Sequence, residues 1–164
     1  ALREEKTYAK IKSFIREEKF SYLPPFMSTL DARNLSFDVY AKLVQEARDS
    51  GDYDLIFVDL EAGYDSARLQ LLQQADRVIM VVLQDEFAVY KTRYLLQCMD
   101  IRDRERYMFI CNAYNDAGEN AYVQSELQTM FPIKEYIERS VVPMRSLQQL
   151  TELEGIEKLS YAFI

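Results

Sequence analysis

The sequence predicts an α/β domain in which a mainly parallel sheet carries helices on both faces. Two observations predict it. Short apolar runs at 55–58, 77–83 and 107–112 alternate with stretches of helical periodicity. Those helical stretches are long enough to cross over between parallel strands. A third observation limits the remainder: four glycines and four prolines in 164 residues leave little room for long irregular segments. The chain 1–164 is therefore expected to lie within one compact α/β unit.

The elements follow in order. Residues 3–19, REEKTYAKIKSFIREEK, put Tyr8, Ile11, Phe14 and Ile15 on one stripe with charges elsewhere, which predicts an amphipathic helix. FSYLPP reads as a short strand halted by Pro24 and Pro25. Ser36 is placed to cap a helix over 37–49, with Phe37, Tyr40, Leu43, Val44 and Ala47 on its inner face. DSGD ends it. The run 55–58 is expected as a strand, and Asp65 or Ser66 to start a short helix reaching about residue 75.

RVIMVVL, 77–83, shows no alternation, so a strand buried on both faces is expected there. A helix over 86–99 follows, with Asp85 and Glu86 positioned to cap it. YMFICN, 107–112, is the next strand, and AYNDAGEN a polar loop before a helix over about 119–130. RSVVPM reads as a strand ahead of a final helix from about Ser146.

Charge and composition exclude several functions. A net charge of −7 argues against a nucleic-acid binder, whose affinity rests on a basic surface that neutralises phosphates. The absence of histidine removes the Ser-His-Asp triad, His-based proton transfer and every His-containing zinc site. Cys98 and Cys111 stand alone in different elements and are expected to be buried free thiols in a reducing cytoplasm. No apolar span of membrane length is present. The first residue is Ala and the sequence opens on a charged helix, so it reads as a piece of something longer.

In an open α/β sheet, ligands bind beyond the carboxyl ends of the strands. The polar residues at those ends are Asp59, Glu61 and Gly63, then Gln84, Asp85 and Glu86, then Asn112, Tyr114, Asn115 and Asp116, and finally Pro143, Met144 and Arg145. Asp59 can hold a water of a magnesium ion bound to phosphates, or can simply be the polar end of a strand. Gly63 lets a backbone N–H approach a phosphate without a Cβ in the way, or serves only the turn. The Asn112 amide suits a purine edge or its own loop backbone. A phospho-acceptor receiver domain is the rival reading. It fails at three positions: Gln84 replaces a hydroxyl residue, Asn112 replaces a lysine, and FSYLPP supplies no acidic pair.

Taken as an ordered set, YDLIFVDLEAG, QQADRVIMVVLQDEFAVYKTRYLL, FICNAYN and VVPM resemble the back portion of a ParA/MinD-type ATPase domain, from the deviant-Walker branch of the P-loop NTPases. The flavour is that of the TadZ/CpaE pilus-assembly group. The resemblance covers the chain from about Phe20 onward. It implies that Asp59 is the Walker B carboxylate, reaching Mg²⁺ through water, that Gly63 is the γ-phosphate-sensing turn glycine, that Asn112 reads the base and that Arg145 edges the site. It also implies ATP-dependent homodimerisation, partners from a localisation or assembly system, a cytoplasmic location and a role in positioning or assembling a structure such as a pilus.

No segment resembles KGGxGKT, so the phosphate loop and the family's switch I are expected to precede this sequence. ATP and Mg²⁺ would then be bound by the intact domain and not by these residues alone, which hold no catalytic residue. The family's sheet places the phosphate-loop strand between the strands at 55–58 and 77–83. Those two should therefore flank a strand that this sequence does not supply. Glu61 and Ala62 stand where the family often has proline, which keeps open an alternative: a non-hydrolysing, ATPase-like scaffold that binds assembly partners. The terminal stretch LQQLTELEGIEKLSYAFI carries Glu152, Glu154 and Glu157 against Lys158, a poor match for anionic lipid. No membrane insertion is expected.

Overall fold

A computed structural model of the chain describes residues 7–24, 37–61, 63, 65–99, 101–139 and 153–161. They divide into two compact units, Ala1–Leu72 and Gln73–Ile164.

In the first unit, helix α1 (Thr7–Ile11) passes into a 3-10 turn over Lys12–Phe14 and then a two-stranded antiparallel hairpin, β1 (Arg16–Glu17) and β2 (Ser21–Tyr22). The expected helix over 3–19 is thus cut short. Its apolar stripe fails at Phe14, which is exposed, and the chain turns extended at Ile15. What holds α1 is polar: Tyr8 Oη donates to Asp52 at 2.7 Å, Lys12 pairs with Asp52 at 2.7 Å, and Tyr8 N donates to Glu46 at 2.7 Å. These contacts reach helix α2 (Phe37–Ser50), whose Ala41 and Ala47 are buried and whose end is marked by Gly51 in the left-handed region, φ 69°. Ser36, the expected cap, lies outside the described residues.

Residues 52–61 carry no strand, contrary to expectation for 55–58. Leu55, Ile56, Phe57 and Val58 are 60, 39, 70 and 42% exposed. A strand exists only as one member of a ladder, and this run belongs to neither sheet among the described residues. Helix α3 (Ser66–Gln74) follows, with Asp65 capping it by accepting from Arg68 N at 3.0 Å.

The second unit holds a three-stranded parallel sheet in the order β3 (Val78–Val82), β4 (Tyr107–Tyr114), β5 (Ile133–Glu138). Helix α4 (Glu86–Cys98) joins β3 to β4, capped by Asp85, which accepts from Ala88 N at 2.9 Å. It buries Val89, Thr92 and Leu96 at helical spacing. The 119–130 stretch is two helices, α5 (Ala121–Gln124) and α6 (Glu126–Met130). Ser125 breaks it, ending the first turn and capping the second by accepting from Leu127 N at 3.2 Å.

Phe109, Cys111, Tyr122 and Leu127 are the most buried side chains, and the rings of Phe109 and Phe131 lie 5.1 Å apart. The last helix, α7 (Glu154–Ser160), packs on β5.

Three further expectations change. β3 is an edge strand among the described residues, and its Val81 is 60% exposed, so it is not buried on both faces. β5 lies at 133–138, ahead of the strand expected in RSVVPM, most of which falls outside the described residues. Of the two free thiols, Cys111 is buried and Cys98 is exposed. No helix among the described residues is long and apolar enough to cross a membrane.

Candidate functional site

Three strand ends come side by side at the carboxyl edge of the parallel sheet. Leu83, Gln84 and Asp85 leave β3, Ala113 and Asn115 mark the end of β4, and Arg139 follows β5. Together these six line a cavity of about 320 Å³. β4 reaches it through a bulge. Cys111 faces Tyr136 and Tyr114 faces Glu138, so Asn112 and Ala113 together oppose Ile137 alone. Ala113 takes φ 52°, a left-handed conformation costing a non-glycine residue about 1–2 kcal/mol. Local strain of this kind concentrates where a chain re-aims side chains toward a ligand.

Gln84 organises the rim. Its carbonyl accepts from Ala121 N at 2.8 Å. Its Oε1 accepts from Asn115 N at 2.7 Å, and its Nε2 donates to the Glu119 carbonyl at 2.9 Å. One side chain thereby ties the loop after β4 to the end of β3. Within that loop Asn115 Oδ1 accepts from Ala117 N at 3.2 Å. A Cβ on Gly118 would lie 2.8 Å from Gln84 Nε2, so the loop closes tightly over this amide. Gln84→Ala is expected to cost about 1 kcal/mol of stability. It should also speed hydrogen exchange at the Asn115 amide, read by mass spectrometry or NMR.

Asn112 is exposed on the bulge and does not line the cavity, whereas its neighbours Ala113 and Asn115 do. Arg139 is not legible as a rim residue in the sequence, where the last strand is expected to begin at this position. The signal was present: Pro132 followed by IKEYIE, in which Ile133 and Ile137 are the buried positions. Arg145 lies outside the described residues. A larger open cleft of about 810 Å³ adjoins the first and shares Asn115 and Arg139. Asp116, Glu135, Glu138 and Glu154 face it against Arg139 and Lys158, which disfavours phosphate there.

The other candidates belong to the first unit. Asp59 is exposed on the extended stretch. Gly63 is half-buried against Arg68: a Cβ built on it would come within 2.7 Å of Arg68 Nη1. The Arg68 guanidinium donates to both Glu61 and Asp65. Arg68 holds the Asp65 carboxyl below the usual carboxylate range, first through its backbone N–H and then through its side chain.

For ATP with Mg²⁺ the residues present fit in part. Gln84, Asn115 and Arg139 are polar members of the cavity lining, but the Gln84 amide is engaged at both ends, by Asn115 N and the Glu119 carbonyl, and Asn115 Oδ1 by Ala117 N. The described residues gather no group of three or more Cys, Asp or Glu for a metal ion. Asp59 is a single exposed carboxylate, fewer ligands than an inner coordination sphere needs.

No protein-family model matches the chain, and no curated protein matches it. Solved structures do. A ParA family ATPase from Chlorobium tepidum TLS superposes with TM-score 0.67 at 17% identity, over 97% of this chain and 65% of that one. The MinD cell division protein of Aquifex aeolicus superposes with TM-score 0.56 at 18% identity, over 79% of this chain and 55% of that one. The chain has a ParA/MinD-type fold. The MinC:MinD complex of Aquifex aeolicus gives a TM-score of 0.57 at 18% identity, over 80% of this chain and 55% of that one. The chain therefore spans about two-thirds or less of each of these proteins. The ParA/MinD-type fold accounts for the parallel sheet flanked by helices, whose carboxyl edge carries the cavity.

Proposed function

We propose that the chain is the C-terminal portion of a ParA/MinD-like regulatory ATPase domain. Its role is the positioning or assembly of a cell-surface or polar structure such as a pilus, as in the TadZ/CpaE group. The observation that carries this reading is the rim itself: Gln84, the Asn112–Ala113 bulge and Arg139 meet at the carboxyl edge of a parallel sheet. In the intact domain Asp59 holds a magnesium water, Gly63 meets the terminal phosphate, and Asn112 and Arg145 border the base. ATP favours a homodimer that engages the assembly partners, in the cytoplasm. The exposed apolar run 55–58 in the first unit and, separately, the exposed Val81 of the edge strand β3 in the second each support further parts of the domain that cover them.

Nucleotide-binding calorimetry on the intact protein, with and without Mg²⁺, tests the reading. Binding of ATP strengthened by Mg²⁺ is expected, while residues 1–164 alone should turn over no ATP. Turnover by the 164 residues, or an intact protein that ignores nucleotide, would contradict it. The second outcome favours the scaffold alternative, in which partners bind a surface such as the exposed Phe87, Tyr90 and Tyr94 of α4.

A further inference from the structure

The loop between β4 and α5 is fastened to the sheet through one residue. Asn115, Asp116, Ala117, Gly118 and Glu119 are all exposed, so no buried side chain anchors this stretch. Asn120 belongs to the helix beyond it, capping α5 by accepting from Val123 N at 3.2 Å. Apart from that cap, among the described residues every hydrogen bond that leaves 115–120 runs to Gln84. Asn115 N donates to Gln84 Oε1 at 2.7 Å, and Gln84 Nε2 donates to the carbonyls of Glu119 at 2.9 Å and Asn115 at 3.3 Å. One side-chain amide thus holds both ends of the loop at once. The remaining bonds are internal: Gly118 N and Ala117 N turn back on Asn115 at 3.1 and 3.2 Å. A loop tied within itself and fastened outside by one side chain opens as one unit.

We propose that Gln84 is the catch of a hinged strap, residues 115–120, which forms part of the wall shared by the two cavities at the carboxyl edge of the sheet. Asn115 lines both cavities, so releasing the catch widens the smaller one into the larger. The strap swings between Ala113, in the left-handed region at φ 52°, and the Asn120 cap of α5. Exposed, without an apolar anchor and with its hydrogen bonds open to water, it belongs to the low-stability end of the fold, from which ligand-gating loops are drawn. Gly118 lets the catch close: a Cβ there would lie 2.8 Å from Gln84 Nε2, the free-swinging end of that side chain. The device rests on the loop's own bonds and is independent of which ligand the rim takes.

Hydrogen exchange of the intact protein, read by NMR at single amides, tests it. Asn115 N loses its acceptor in Gln84→Ala under any reading. Ala121 N is the decisive probe, because its acceptor is the Gln84 main-chain carbonyl at 2.8 Å, which the substitution leaves in place. With the side chain as the catch, exchange at Ala121 should rise about fivefold, the loss of one net hydrogen bond, while Phe109–Cys111 of β4 stay protected. Gly118→Ala pushes the Gln84 amide aside and should speed exchange at the same two amides. In the Gln84→Ala background it should add nothing, since no amide is left to displace. A purely local bond predicts a change at Asn115 alone. An Ala121 amide that is unprotected in the wild type, one that is unchanged in both variants, or additive effects of the two substitutions would each overturn the proposal. Gly118→Ala leaves Gln84 itself intact, so it carries the test even where Gln84→Ala fails to fold.

Discussion

Tyr122→Ala is expected to destabilise the chain by about 3–5 kcal/mol, a large part of the 5–15 kcal/mol that holds a typical domain. Tyr122 is fully buried, with its ring 6.1 Å from that of Phe109. Phe109 in turn stacks on Phe131, so removing the phenol opens a cavity between α5 and the central strand β4. Its Oη donates to the Phe131 carbonyl at 2.8 Å. Tyr122→Phe keeps the ring and deletes that bond, leaving a buried acceptor unsatisfied at a cost of about 1–3 kcal/mol. Urea unfolding of both variants separates packing from hydrogen bonding.

A pH dependence accompanies it. Burial raises the Tyr122 pKa, so above about pH 10 the unfolded chain releases a proton that the folded chain retains. The unfolded state then binds fewer protons, and stability falls as pH rises. The contribution is complete below about pH 10 and is lost progressively toward the raised folded value. Tyr122→Phe should flatten the alkaline limb only in part, because the Tyr8 and Tyr136 pKa values are raised as well.

Gly155→Ala is expected to detach α7 from β5. A Cβ at this position would fall 2.2 Å from the Tyr136 carbonyl oxygen and 3.0 Å from Ile137 Cα. Both are backbone atoms of a strand, so neither can swing aside as a side-chain tip would. The whole helix must lift. Overpacking of this kind costs about 1–3 kcal/mol, occasionally more. Hydrogen exchange should rise across 154–160 and along β5 while β3 stays protected, and limited proteolysis should cut first near α7. Unchanged protection of α7 would mean that the helix does not rest on this strand. The same contact explains why a glycine stands inside a helix, where it is otherwise about 1 kcal/mol worse than alanine.

Elements whose own residues carry the signal were legible. β3, α4 and β4 lie within one or two residues of their expected bounds because apolar runs and a capping Asp85 mark them locally. Other elements depended on partners. The apolar run 55–58 has all the local character of a strand and forms none, because no ladder among the described residues receives it. The stripe from Tyr8 to Ile15 has helical spacing, yet only Tyr8 finds a burial site and the helix stops at Ile11. β5 hid behind alternating charges: Lys134, Glu135 and Glu138 dilute a strand whose core contacts are Ile133 and Ile137.

The candidate site divides in the same way. The residue sequence alone determined that an α/β sheet would carry polar residues at its strand ends, and it placed Gln84, Asp85 and Asn115 among them. It also shows that the chain has no histidine, and so no His-based proton transfer. Only the tertiary structure decided which rim residues share a cavity, that Arg139 is one of them, and that Arg68 is folded back on Gly63 between two carboxylates. The physical reason is range. Periodicity and capping act over a few residues and are written locally, whereas a cavity or a clasp depends on where distant backbones come to rest.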